Sequence, residues 1–287
     1  MSLEVLRTGP LATVQDLGRP GHAGIGVGVS GAADRGSLRL ANRLLGNPEG
    51  AAAVETTFGG LEVRARRDLT VAVTGAPCPI TVDGRGGAPN TVLRLPAGSS
   101  LCLGTPSRGL RSYLAVRGGV DVEPVLGSRS TDVLAGLGPD ALVPGAVLPA
   151  GPPPAQFPVV DAVPVVPLPE QLVLTVVPGP RDDWFTEQAL ETLLGEPYEV
   201  TPRSDRVGMR LDGPPLHRCR EGELPSEGMV AGALQVPPTS TPTLFLADHP
   251  VTGGYPVIAV LPATEVDRAA QARPGQRLRF RLDREVP

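Results

Sequence analysis

Residues 69–75 read LTVAVTG, a run of Leu, Val and small residues that stops at Gly75. β-Branched side chains favour extended backbone, and a glycine closes such a run. The same type of segment recurs as SYLAVRGG (112–119), QLVLTVV (171–177), TLFLADH (243–249) and RLRFRL (277–282). Short apolar segments punctuated by Gly and Pro predict a mainly β chain with a few helices, of the barrel or sandwich kind. Three further stretches, LPAGSSLCLG (95–104), LVPGAVLPAG (142–151) and ARPGQRLRFR (272–281), share one arrangement. In each, a Pro/Gly turn launches a strand, and the second and third copies each end a run of strands. This points to two similar β domains. Between them, PAGPPPAQFPVVDAVPVVPLPEQ (149–171) is Pro-rich and nearly uncharged, as a linker or extended crossover would be. The reading is one domain over residues 1–152, a linker over 153–170 and a second domain over 171–287.

Composition narrows the function. At 287 residues the chain has room for two ordinary domains, each with its own core. Aromatics are only 3%, so those cores must be built from Val, Leu and Ala. A net charge of -4 argues against a nucleic-acid binder, which needs a basic face. No run approaches the roughly 20 apolar residues that span a bilayer, so no membrane segment is expected. MSLEVLRTGP carries no signal-peptide pattern. The three cysteines, Cys78, Cys102 and Cys219, are widely spaced and odd in number. They read as reduced, small buried hydrophobes of a cytoplasmic protein, not as a disulfide or zinc framework. Every basic residue is Arg; the chain has no Lys. A phosphate-binding loop with its invariant lysine is therefore excluded, as are a Schiff-base lysine and a lysine-linked biotin or lipoyl group. No histidine spacing or CxxC suggests a metal.

Helices are few. In DRGSLRLANRLLGN (34–47), Asp34 or Ser37 caps the start and Gly46 stops the end. Leu38, Ala41 and Leu45 form its apolar face, and Asn42 falls on the same face, either as a structural lock or as a site residue. PRDDWFTEQALETLLG (180–195) predicts a second helix capped by Asp182 or Asp183, and ATEVDRAAQA (263–272) a third.

Three stretches concentrate groups able to do chemistry. In TVQDLGRPGHAGIGVGVSGAADRGSLRLANRLLGN (13–47), Gly24, Gly26 and Gly28 alternate with Ile25, Val27 and Val29. One edge of an extended segment would then lack side chains and let backbone N–H groups approach a ligand. Ser30, Asp34 and Asn42 follow as candidate binding residues. In SDRVGMRLDG (204–213), Arg206 and Arg210 would share a strand face. Arg210 reads as a solvated edge, and Arg206 stays open between that and an anion clamp. In GMVAGALQVPPTSTPTLFLADHPVTGGYP (228–256), Asp248 ends an apolar strand, with His249, Gly253, Gly254 and Tyr255 at once behind it and Gln235 upstream. A carboxylate, an imidazole, a phenol and backbone N–H groups suffice for proton transfer or for gripping a small amide.

Together these stretches resemble a known family with several names: allophanate hydrolase subunit 2, the C-type subunit of 5-oxoprolinase, and the biotin-dependent carboxyltransferase-like KipA family. The matching segments are TVQDLGRPG with SGAADRGSLRLANRLLGN, LRSYLAVRGGVDVEPVLGSRST, SDRVGMRL, and GALQVPP with LADHPVTGGYPVIA. One departure is Ser240, which stands where the family often has Gly in a turn. The resemblance implies two cyclophilin-like β-barrels. It also implies a KipI-like sister subunit (allophanate hydrolase subunit 1, the B-type subunit of 5-oxoprolinase) and a further lactam-hydrolase subunit. It implies an ATP-dependent opening of 5-oxoproline to glutamate, with ATP used through another subunit and no covalently bound cofactor. The alternatives are the carboxyltransferase component of a urea carboxylase or allophanate hydrolase type of system, and a non-catalytic regulatory partner. By the same resemblance Asp248 orients an amide N–H or accepts its proton and His249 assists. Asn42, Gln235, Tyr255, Arg206, Ser30 and Asp34 would bind substrate, and Gly253 and Gly254 would offer N–H groups to a developing oxyanion.

Overall fold

A computed structural model of the chain describes residues 2–222 and 224–283. Among the described residues there are twenty strands and three α-helices: α1 (Arg35–Leu45), α2 (Glu187–Gly195) and α3 (Ala263–Ala269). The chain divides into two compact units. The first comprises Met1–Arg19, Ser30–Asp132 and Gly136–Leu168. The second comprises Pro20–Val29, Val133–Ala135 and Pro169–Pro287.

In the first unit the strands form a six-stranded and a five-stranded sheet. LTVAVTG lies inside the five-stranded sheet, paired with Arg111–Val116 on one side and Val92–Leu95 on the other. Alternation sends its side chains to opposite faces. Val71 and Val73 join Val5, Val63, Leu101 and Leu103 of the six-stranded sheet in one core, whereas Ala72 faces α1. Leu38, Ala41 and Leu45 of α1 pack there against Ala72, Tyr113 and Ala115. The helix is delimited as its local signals predict. Asp34 accepts the Ser37 N–H at 2.9 Å, and Gly46 takes the left-handed conformation at φ 68°.

The Pro-rich segment is extended and pinned to this unit. Arg117 donates to the carbonyls of Pro154 at 2.5 Å and Gln156 at 2.8 Å, and its guanidinium lies 3.5 Å from the Phe157 ring centroid.

The second unit is a closed seven-stranded barrel. Its ring runs Leu172–Pro178, Val257–Val260, Ala233–Gln235, Thr243–Phe245, Gly208–Asp212, Tyr198–Val200, Arg277–Leu282, and closes through the parallel pair Leu172↔Leu278. Closure removes the exposed edge that an open sheet of such apolar strands would present. Ser240 sits at φ 61° in the turn before Thr243, a left-handed position that favours glycine.

Three expectations need correction. Residues 23–25 form a 3-10 turn ended by Gly26 at φ 80°, so Gly24, Gly26 and Gly28 do not line one strand edge. α2 is capped by Thr186, whose side chain accepts the Ala189 N–H at 3.1 Å, and not by Asp182 or Asp183. Phe185 is held extended by its bridge to Arg218, which delays the helix start. Cys219 is exposed, while Cys78 is buried and burial pushes its thiol pKa up. No helix of the described residues is long and apolar enough to cross a membrane.

Candidate functional site

Within the barrel, Arg206 and Asp248 flank one end of an antiparallel pair in which Gly208 faces Phe245. Beyond that end the ladder continues: the Leu246 N–H donates to the Val207 carbonyl at 3.1 Å, and the Asp248 N–H to the Arg206 carbonyl at 3.0 Å. The two side chains then meet in a bidentate fork. Arg206 Nε lies 2.9 Å from Asp248 Oδ2, and Nη2 lies 3.0 Å from Oδ1. Oδ2 also accepts the Val133 N–H at 3.2 Å.

The pair is sealed, with side-chain exposures of 2% and 0%. The sequence makes Asp248 a candidate proton acceptor and Arg206 a candidate ligand clamp. In the fold each serves the other, and solvent does not reach the carboxylate. Arg210, by contrast, is exposed, because it lies within the strand while Arg206 precedes it in a bend.

Next to the fork, His249 is half-buried. Its Nδ1 lies 2.8 Å from the Pro250 carbonyl. A carbonyl only accepts, so in the neutral ring Nδ1 carries the proton and Nε2 is the basic nitrogen.

A second group forms around Gln235, which is buried at the end of its strand. Its Nε2 donates to the Tyr255 carbonyl at 3.1 Å and lies 3.8 Å from Met229 Sδ. This fixes the amide so that Oε1 is its remaining acceptor, and Oε1 bonds to no described residue. Gly253 packs onto this amide: a Cβ there would lie 2.6 Å from Gln235 Nε2. The glycine expected as a backbone donor is thus also required by the fit of Gln235. At Gly254 the nearest atom to a Cβ would be the Leu224 carbonyl oxygen, at an ordinary 3.6 Å. Tyr255 is 45% exposed and keeps its ring accessible. Arg218, which carries no sequence signal, places its guanidinium 5.9 Å from that ring centroid.

The remaining candidates lie in the first unit, and their polar groups are engaged there. Asn42 donates to the carbonyls of Glu49 at 3.1 Å and Ala51 at 2.7 Å, and its oxygen accepts from Asn47 at 3.1 Å. Of its two readings, the lock is the one its contacts support. Asp34 caps α1, accepts the Ser37 hydroxyl at 2.6 Å, and donates its own N–H to the Tyr113 hydroxyl oxygen at 2.8 Å. Burial, with Glu55 and Asp34 close by, pushes the Tyr113 phenol well above its usual range. Ser30 is fully buried at φ 54°, its hydroxyl 3.4 Å from the Thr131 carbonyl.

Sequence reasoning also missed a buried polar knot between TVQDLGRPG and GSRST. Asp16 Oδ1 accepts from the Gly18 N–H at 2.7 Å, the Ser128 hydroxyl at 2.6 Å and the Ser130 hydroxyl at 2.5 Å. Asp16 Oδ2 accepts the Arg129 N–H at 2.7 Å. Arg19 donates to the Ser130 carbonyl and lies 3.7 Å from Asp132. The knot ties together Arg19 and Asp132, the residues at which the chain leaves the first unit. An acid and an arginine three apart in a Gly-rich turn were the only signal available for it.

A family model described as carboxyltransferase domain, subdomain A and B, matches residues 25–282. The chain is 37% identical over 281 residues to the C-type subunit of 5-oxoprolinase from Escherichia coli K12, covering 97% of this chain and 90% of that protein. Among solved structures, TTHA0988 superposes with a TM-score of 0.88 at 37% identity, over 98% of this chain and 55% of that one. Kluyveromyces lactis urea carboxylase superposes with a TM-score of 0.90 at 30% identity, over 97% of this chain and 27% of that one. The chain thus spans about half of TTHA0988 and about a quarter of the urea carboxylase.

Proposed function

The chain belongs to the family of carboxyltransferase domains, subdomain A and B, and on that premise we propose that it is one component of a 5-oxoprolinase-type complex. The observation that carries this reading is the near full-length similarity to the C-type subunit of 5-oxoprolinase. The reaction is the ATP-dependent hydrolysis of a cyclic amide, in which water adds across the C–N bond of 5-oxoproline and glutamate results. The assembly includes a KipI-like sister subunit and a lactam-hydrolase subunit, in the cytoplasm. ATP is handled elsewhere in the complex, because this chain has no lysine for a phosphate-binding loop.

Each group takes one role. Gln235 Oε1 accepts the ring N–H of the lactam, and the Tyr255 carbonyl keeps the amide from turning. His249 takes up a proton at Nε2 and returns it, while Nδ1 stays on the Pro250 carbonyl. Backbone N–H groups near Gly253 and Gly254 face the developing oxyanion, with the Tyr255 phenol beside them. The Arg206–Asp248 fork holds the strand end from which His249 projects.

A second reading, carboxyl transfer to a urea-like amide, is favoured by the superposition on urea carboxylase. It would take its biotin from another chain. ATP hydrolysis by this chain co-purified with its sister subunits separates them. Stimulation by 5-oxoproline with glutamate formed is the expected result. Stimulation only by urea with bicarbonate and a biotin-bearing protein would replace it with the second reading. A stable complex that neither substrate stimulates would leave a regulatory partner.

A further inference from the structure

Arg218 lies outside the barrel strands, its backbone bridged to Phe185. Its Nη2 donates to the carbonyl of Val236, the residue after Gln235. Its guanidinium stands over the ring of Tyr255, whose carbonyl holds the Gln235 amide. Both anchors of this arginine therefore adjoin Gln235.

Five other arginines of the second unit have acidic partners: Arg181 has Glu227, Arg206 has Asp248, Arg220 has Asp183, Arg268 has Glu265 and Arg277 has Glu199. Arg218 has none among the described residues, and its buried Nε has no hydrogen-bond partner there. Burial pushes its pKa down. A guanidinium taken partly out of water without a counter-charge is costly to the folded chain. The residue remains half-buried and not sealed, so an anion can complete it from outside. A single fork matches one carboxylate, which it binds through two parallel N–H groups. With no lysine in the chain, an arginine is the side chain available for that charge.

We infer that Arg218 is a specificity-determining residue that binds the carboxylate of a small amide substrate whose N–H is taken by Gln235. This rests on the reading of the Gln235 group as the amide site. It adds a requirement that amide chemistry alone does not impose: the substrate carries an acid beside the amide. A urea-like molecule lacks that acid.

The test uses two lactams that differ only in the acid, 5-oxoproline and 2-pyrrolidinone, with the whole chain and its Arg218→Met and Arg218→Lys variants. Equilibrium titration of the isolated chain should show 5-oxoproline bound about 10- to 100-fold more tightly than 2-pyrrolidinone, the range expected for a charge-assisted hydrogen bond. Arg218→Met should erase that preference and leave 2-pyrrolidinone binding as it was, and Arg218→Lys should restore part of it. Equal affinity of the unmodified chain for both lactams overturns the inference. So does a preference that survives Arg218→Met, or an equal loss for both lactams in a variant that melts at the unmodified temperature. In the assembled enzyme, Arg218→Met should raise KM for 5-oxoproline by a similar factor with kcat little changed. Absence of 5-oxoproline turnover by the unmodified assembly would count against the proposed reaction only, because the titration judges the anion site independently.

Discussion

Asn42 and Gln235 are both buried amides that end up in opposite conditions. Asn42 spends both N–H groups on the carbonyls of Glu49 and Ala51 and its oxygen on Asn47, all within a few residues of α1. Gln235 spends one N–H on the Tyr255 carbonyl and keeps its oxygen unbonded among the described residues. Around Asn42 the chain closes a loop onto a helix. Around Gln235 it places a glycine, an accessible tyrosine ring and an arginine without a described counter-charge. Burial of a polar group therefore does not identify a site. Unspent hydrogen-bonding capacity is the further requirement, because a saturated group has nothing left for a ligand.

The largest effect should come from the charged lock. Arg206→Met leaves the Asp248 carboxylate buried without the guanidinium charge, and breaking such a pair costs about 3–5 kcal/mol. Urea denaturation followed by the tryptophan signal of Trp184 would measure it. A loss below about 1 kcal/mol would mean that the fork is not the lock described here.

Between the two amides the expectations cross. Asn42→Ala removes the side-chain donor to two carbonyls and the acceptor of one Asn47 N–H, and should cost about 2–3 kcal/mol. It should leave the kcat/KM of the assembled enzyme nearly unchanged. Gln235→Ala removes one bond and should cost about 1 kcal/mol while lowering kcat/KM by at least about tenfold. If the Asn42 variant loses activity at full stability, or the Gln235 variant loses stability at full activity, the contrast fails.

The smallest effect lies at the rim. Arg181 Nε donates to both oxygens of Glu227, at 2.9 and 3.1 Å, and holds the Glu227 carboxyl below its usual value of 4.5. A lowered folded pKa stabilises the protein above the unfolded value, and that contribution is lost as pH falls through the folded one. Both side chains are partly exposed, so solvent screening keeps the effect small. Comparing Glu227→Gln with the unmodified chain in thermal melts from about pH 7 to about pH 3 should show the difference shrinking below pH 4.5. A difference constant with pH would show that the pair has no linked titration.

Much of the fold was legible because its signals are local. Asp34 and Gly46 delimit α1 from within the helix and its two flanking residues, and Ser240 marks a left-handed turn by standing where a glycine is favoured. The start of α2 was misread because Phe185 answers to Arg218, 33 positions further on. The candidate site was legible in part. The segment from Asp248 to Tyr255 drew attention through its residue types, yet nothing in it revealed that Asp248 is sealed against Arg206. Arg218 gave no periodic or motif signal at all.

The amino-acid sequence by itself determined the mainly β character, the two ends of α1 and the lack of any lysine chemistry. Each of these depends on residue type or on neighbours a few positions apart. Only the tertiary structure decided which polar groups are spent and which remain open. Their partners stand 20 positions away for Gln235 and Tyr255, 42 for Arg206 and Asp248, and 115 for Val133 and Asp248. Hydrogen bonds and ion pairs act over about 3 Å of space whatever the separation along the chain, so their pattern exists only once the barrel has closed.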